Sequence, residues 1–139
     1  LAKVITDWGW KGTVKELMDY WFSKGTEIDK EINEYIESLK LQGVRVFMST
    51  DQEKYRGQHL QQTLGGGKIF EEVFFSAQIG CPKKKVGFWD YVFEKVESIS
   101  RKEVLFVDDD EENIKSVTKL GIESFLYRNL DELKNKLSE

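Results

Sequence analysis

The run Val104-Leu105-Phe106-Val107-Asp108-Asp109-Asp110 constrains the fold of this chain more than any other stretch. Four apolar residues in a row read as a strand buried on both faces, and such strands belong to parallel sheets covered by helices on two sides. The three carboxylates fall at the C-terminal end of that strand, the edge at which open α/β sheets hold their ligands. Acids crowded at one spot repel one another, and a hard cation such as Mg²⁺ neutralises them. One of the three has a plainer role open to it, as the cap of the helix that begins with Glu111, Glu112 and Asn113.

The flanking sequence supplies the other layers. Thr13 and Glu16 have the spacing of a capping box, and Val14, Leu17, Met18, Trp21 and Phe22 recur at helical intervals, which predicts a helix over 14–23 ended by Gly25. A second helix opens near Asp29, places Ile32, Tyr35, Ile36 and Leu39 on one face, and stops before Gly43. Strands are predicted over 44–48, 70–75, 104–107 and 122–127, and helices over 52–64, 86–96, 111–120 and 130–137. The segment 76–85, which contains the only proline, Pro82, reads as a loop. Gly65-Gly66-Gly67 comes after a helix and lacks the ending of a phosphate-binding loop, so it reads as a helix stop. Strand and helix therefore alternate from residue 44 onward, which implies a Rossmann-like α/β fold: a three-layer parallel sheet with helices on both faces and right-handed crossovers.

Bulk properties exclude several classes. With 25 Asp and Glu against 21 Lys and Arg the net charge is -4, which argues against a nucleic-acid binder. No apolar run approaches the length of a membrane span and no secretory signal is present, so no membrane partner is expected. The lone Cys81 cannot form an internal disulfide and fits a cytoplasmic protein. His59, the one histidine, lies in a polar stretch and reads as a surface residue, which rules out a His-based triad or a His-rich zinc site. The aromatic residues of 86–96, Phe88, Trp89 and Phe93 among them, read as core.

In a parallel sheet the carboxyl edge gathers the segments that leave the strand ends. Thr50 and Asp51, then Lys83 to Lys85, then Asp108 to Asp110 should meet there. A hydroxyl, a lysine and paired carboxylates are the parts that phosphoryl transfer requires: a hydrogen-bond donor, a fixed cation for phosphate oxygens, and ligands for Mg²⁺.

On these residues the chain resembles the haloacid dehalogenase superfamily of hydrolases, of the type with a helical cap, from about residue 14 to the end. Phe47-Met48-Ser49-Thr50-Asp51 is similar to the second motif of that family, and Ser76 to Lys83 to its third, which ends in the catalytic lysine. Lys83 takes that place by spacing, with Lys84 as the other claimant because Pro82 precedes the lysine instead of coming after it. Val107-Asp108-Asp109 with Asn113 and Gly121 matches the fourth, metal-binding motif. The resemblance implies Asp109 as direct metal ligand with Asp108 beside it, Thr50 and Asp51 on the substrate, and Lys83 offsetting the charge of phosphate and nucleophile. It implies a Mg²⁺-dependent phosphatase that acts on a small phosphorylated metabolite through an aspartyl-phosphate intermediate.

The first motif of that family, an apolar strand running into Asp-x-Asp, is absent. Val4-Ile5-Thr6-Asp7 is the one candidate for a degenerate form, with Asp7 as nucleophile; otherwise residues 1–28 are the remnant of a helical cap and 29–139 the α/β core. Because the missing strand is central in the family, its omission would leave a gap of ~10 Å between the strands at 44–48 and 104–107. The chain begins at Leu1, and the expectation is that a longer native chain supplies the strand, or else that 1–5 fills the gap. A signalling receiver domain fails on position, since only 29 residues come after Asp110. A non-catalytic binding module on the same fold is the second reading.

Overall fold

The computed structural model describes residues 2–138. Three helices come first: α1 (Ala2–Asp7), α2 (Val14–Lys24) and α3 (Lys30–Leu41). The α/β part then runs β1 (Met48–Thr50), α4 (Lys54–Leu64), β2 (Val73–Phe75), a short α5 (Ser76–Ile79), α6 (Val86–Lys95), β3 (Leu105–Asp108), α7 (Glu111–Thr118), β4 (Glu123–Leu126) and α8 (Leu130–Leu137). Local chemistry sets several ends. Thr13 and Glu16 close a full capping box on α2, Asp29 accepts the amide N–H groups of Glu31 and Ile32 at the start of α3, and Asp110 caps α7. Gly65 ends α4, and Gly66 and Gly67 come next with positive φ, so the triple glycine is a stop.

All strand pairing is parallel, but the described strands form two separate two-stranded sheets. β1 pairs with β2 in the register Met48 to Val73, and β3 pairs with β4 in the register Leu105 to Glu123. No ladder joins β1 to β3 among the described residues. Residues alternate across each strand. Val73 faces α4, where Leu60 and Leu64 bury it, and Phe75 also turns to that helix; Phe74 turns to the opposite face, with Phe88, Trp89 and Val92 of α6. That second cluster also takes in Phe106 of β3, Val117 of α7 and Ile122, so one apolar layer runs beneath both half-sheets. Gly57 lets α4 lie directly on β2, because a Cβ there would fall 2.1 Å from the Phe75 ring.

Several expectations change: the segment 76–85 is not all loop, since Ser76–Ile79 form α5, and the strand over 70–75 is confined to Val73–Phe75. The strand predicted over 44–48 forms instead as Met48–Thr50, with Val44 exposed at its entrance. Its ladder does continue backwards for a short way, through Met48 N–H to the Glu72 carbonyl and Glu71 N–H to the Val46 carbonyl, where the charged Glu71 and Glu72 replace the apolar partners further on. The run 104–107 is not buried on both faces: Phe106 is 5% exposed but Val107 is 37% exposed. The apolar layer that takes in Phe106 does not reach Val107, which alternation places on the opposite face of β3. Residues Val4 to Asp7 are helical and end α1, so they make no strand and do not fill the gap; Leu1 lies outside the described residues.

His59 is not a surface residue either. Its ring lies 5.3 Å from Phe22 of α2, its Nε2 is buried without a partner, and burial first, then the Arg56 charge, hold its pKa below the ordinary imidazole value. Arg56, on the same helix α4, donates to the carbonyls of Phe22 and Gly25 and so fastens the C-terminal end of α2 to the α/β part.

The split sheet generates a stability prediction. An N-terminal extension carrying an apolar strand of about five residues should raise both the urea midpoint and the m-value, and should protect amide hydrogens of β1 and β3 from exchange. A 139-residue chain that already unfolds cooperatively as a monomer, with the m-value of a full domain of its size, contradicts this.

Candidate active site at the carboxyl edge

The carboxyl ends of β1, β2 and β3 lie on one edge, and three segments converge there. β1 ends in Thr50, which is buried, and the chain passes on into the exposed Asp51. β2 runs straight into Ser76, whose hydroxyl accepts the Gln52 N–H at 3.0 Å and donates to the Gln52 carbonyl at 3.2 Å. The segment after β1 is thereby tied to the segment after β2. β3 ends in Asp108, itself buried at 8% exposure.

The centre of the site is the ion pair between Lys83 Nζ and Asp108 Oδ2, at 2.6 Å, with the side chains 15% and 5% exposed. Two such charges withdrawn from water are stable only when each also finds hydrogen bonds. Asp108 Oδ1 accepts the Asp110 N–H at 2.9 Å, and the Asn113 amide lies 3.4 and 3.5 Å from the two carboxylate oxygens. Burial, the largest single effect, pushes the Asp108 carboxyl up; the hydrogen bonds from Lys83, Asp110 and Asn113 and the lysine charge together outweigh it, and the pKa ends below the ordinary aspartate value. Lys83 is also fixed through its backbone. Its N–H donates to Asp51 Oδ1 at 2.9 Å, and its carbonyl accepts the indole N–H of Trp89 at 2.7 Å. Lys84 points elsewhere, to Glu112 on α7 at 3.2 Å, and is exposed.

The structure thus brings Lys83, Asp51, Asp108 and Asn113 into one network. Thr50 comes just before Asp51 and makes no side-chain bond to the network among the described residues; Gln52 Nε2 lies 3.4 Å from its hydroxyl. Asp109 is exposed beside Asp108 and takes no part in the network. Asp110 caps α7 by accepting the Glu112 N–H at 2.7 Å. Asp7, at the end of α1, is exposed.

Among solved structures the chain superposes on proteins described as HAD-like hydrolases. One from Porphyromonas gingivalis matches with a TM-score of 0.69 at 19% identity, over 99% of this chain and 72% of that one. The magnesium-bound YfnB of Bacillus subtilis matches with a TM-score of 0.70 at 18% identity, over 99% and 69%. This is the haloacid dehalogenase-like fold. In sequence, 94 residues are 29% identical to a sesquiterpene phosphatase of Aspergillus oryzae, covering 68% of this chain and 47% of that protein. Another 26% identity over 114 residues links the chain to a drimenol cyclase of Aspergillus calidoustus, covering 80% of this chain and 21% of the cyclase. The chain therefore spans about half of one of these curated relatives and about a fifth of the other. No family model matches the sequence.

Within this haloacid dehalogenase-like frame, the donor chemistry suits Mg²⁺. That ion keeps several waters and takes one or two carboxylates from a protein, and Asp109 offers an exposed carboxylate next to Asp108. No group of three His, Cys, Asp or Glu side chains arranged to hold a metal occurs among the described residues; at this edge they offer the two neighbouring carboxylates of Asp108 and Asp109. Two contributors are not legible in the sequence. Ser76 sits at a strand end like many capping hydroxyls, and Trp89 has the buried, apolar surroundings of any core aromatic, with nothing in the residue order to show where its N–H points.

The depressed Asp108 pKa has a sign. The stabilisation from this carboxylate is complete above the ordinary aspartate value of about 4 and is lost as pH falls through the lower folded-state value. Urea unfolding from pH 6 down to pH 2 should therefore show a loss of stability below about pH 4 that is smaller in Asp108→Asn. Parallel curves for the two proteins would contradict the pairing.

Proposed function

We propose that this chain forms the core of a Mg²⁺-dependent phosphomonoester hydrolase that works through an aspartyl-phosphate intermediate. The observation that carries the reading is the buried Lys83–Asp108 pair at 2.6 Å, set at the carboxyl edge beside Thr50 and next to the exposed Asp109. In this reading the Lys83 ammonium and the Thr50 hydroxyl hold two phosphoryl oxygens. An aspartate carboxylate, carried on a strand between β1 and β3, attacks phosphorus; the ester P–O bond breaks and the alcohol leaves after protonation. Water then attacks the phosphorus of the acyl phosphate, releasing inorganic phosphate and restoring the carboxylate. Asp109, with Asp108 behind it, would hold Mg²⁺, which when bound shields the negative charge shared by phosphate and nucleophile. Asn113 keeps Asp108 oriented.

The substrate class is a small phosphorylated metabolite. The 29% identity to a sesquiterpene phosphatase makes a terpenoid phosphate the first one to test. No helix of the described residues is long and apolar enough to cross a membrane, and the single free Cys81 suits a reducing compartment, so we assign the activity to the cytoplasm. One observation favours a second reading, a non-catalytic module that binds metal or phosphate: Asp7 ends a helix and no strand leads into it, so the described residues carry no nucleophile in the position the reaction needs.

Hydrolysis of p-nitrophenyl phosphate and of a prenyl phosphate by the full native protein, with Mg²⁺ present, separates the two. The phosphatase reading expects turnover in the native protein and a loss of at least about a hundredfold in kcat/KM for Asp109→Asn. Turnover at the same rate in both proteins removes Asp109 from the mechanism, and none in the native protein with either substrate leaves the binding module.

A further inference from the structure

Trp89 lies on the inner side of α6, where its ring is buried at 4% exposure. Two contacts lead from it to the site. Its Nε1 donates to the Lys83 carbonyl at 2.7 Å, and its ring meets Phe106 edge-on, with centroids 5.2 Å apart and planes at 82°. Phe106 stands on β3 two residues before Asp108. A single side chain therefore touches both segments that carry the central ion pair, the lysine segment by a hydrogen bond and the aspartate strand by its ring.

The physics of the two partners is unequal. Asp108 ends a strand and is held by that strand's ladder with β4. Lys83 sits in an irregular turn, and a lysine side chain has rotamers to spare, so the place its ammonium reaches depends on how its backbone is held. Asp51 grips the Lys83 N–H, but Asp51 is exposed and its bond competes with water. The indole bond is made from a buried ring, wedged against Phe88 at 5.5 Å and Phe93 at 6.4 Å. A buried indole N–H has one donor and no alternative partner, so both groups gain from keeping it.

We propose that Trp89 is a positioning residue: it sets how far Lys83 reaches toward a phosphoryl group by gauging the lysine segment against β3. This rests on the reading of Lys83 as the cation for the phosphoryl oxygens. Displacing a catalytic group by about 1 Å can cost up to a hundredfold in rate, so a donor outside the reacting shell matters through the group it places.

The test uses the full native protein and two independent readouts. Brief labelling with acetic anhydride, quantified by peptide mass spectrometry, gives the modification of Lys83 relative to Lys84 as an internal reference. Trp89→Phe keeps a ring and removes the N–H, and the ratio should rise at least about threefold, the equivalent of one weak hydrogen bond. Val117→Ala opens the same core from α7, away from the rings that hold the indole, and should lower the melting temperature while leaving the ratio unchanged. Should Trp89→Phe fail to fold, benzothienylalanine at position 89 exchanges only the N–H for sulfur and must raise the ratio in the same way. In the phosphatase assay Trp89→Phe should lower kcat about tenfold with KM changed less than about twofold. An unchanged labelling ratio in Trp89→Phe, or an equal rise in Val117→Ala, overturns the proposal. Absence of hydrolysis by the native protein defeats the phosphatase reading separately, and the labelling ratio still decides the role of Trp89.

Discussion

Helix α6 holds this structure together, because the sheet does not. β1 and β3 share no ladder among the described residues, so backbone hydrogen bonding fixes each half-sheet within itself and says nothing of the distance between them. The fixed distance comes from one apolar layer, in which Phe88, Trp89 and Val92 of α6 pack beneath Phe74 of β2 and Phe106 of β3. Close packing resists displacement in a way that a single ion pair at the edge does not. The Lys83–Asp108 pair then spans the carboxyl edge with its geometry already set from below.

That arrangement explains why the charged site survives burial. Removing Lys83 or Asp108 alone would leave an unpaired charge in poor solvent, a change that costs about 3–5 kcal/mol for buried pairs in general. Here the aspartate is satisfied from three directions and the lysine is held at its ammonium, its amide and its carbonyl. The network has the preorganised character that electrostatic catalysis asks of its groups. Asp109 differs from its neighbour in being exposed and outside the network, which leaves its oxygens available.

Much of this is legible in the order of residues, for identifiable reasons. Apolar runs that end in Thr50 and Asp108 mark strands by period and length, and the alternation with helices dictates a parallel sheet with its polar ends on one edge. Strand limits are less legible. Val44 to Phe47 have every propensity for a strand, yet the regular ladder covers only Met48–Thr50, with backbone bonds reaching back no further than the Val46 carbonyl. Val107 reads as buried because pattern reports what a residue prefers and not whether another element packs on its face of the strand. The helix over Ala2–Asp7 overrides a β-branched stretch for want of a partner strand. His59 and Trp89 escape a sequence reading differently: burial and hydrogen-bond direction depend on the tertiary partner, Phe22 for one and the Lys83 carbonyl for the other.

If the edge between the two half-sheets is a phosphate site made by Thr50 and Lys83, with Asp109 holding the metal, a crystal structure of the full native protein grown with inorganic phosphate and Mg²⁺ shows it directly. The anion should lie within hydrogen-bond distance of Thr50 Oγ1 and Lys83 Nζ, between β1 and β3, with the cation on an Asp109 oxygen. Phosphate bound elsewhere, with Lys83 still engaged by Asp108 alone and Asp109 free in solvent, would contradict it.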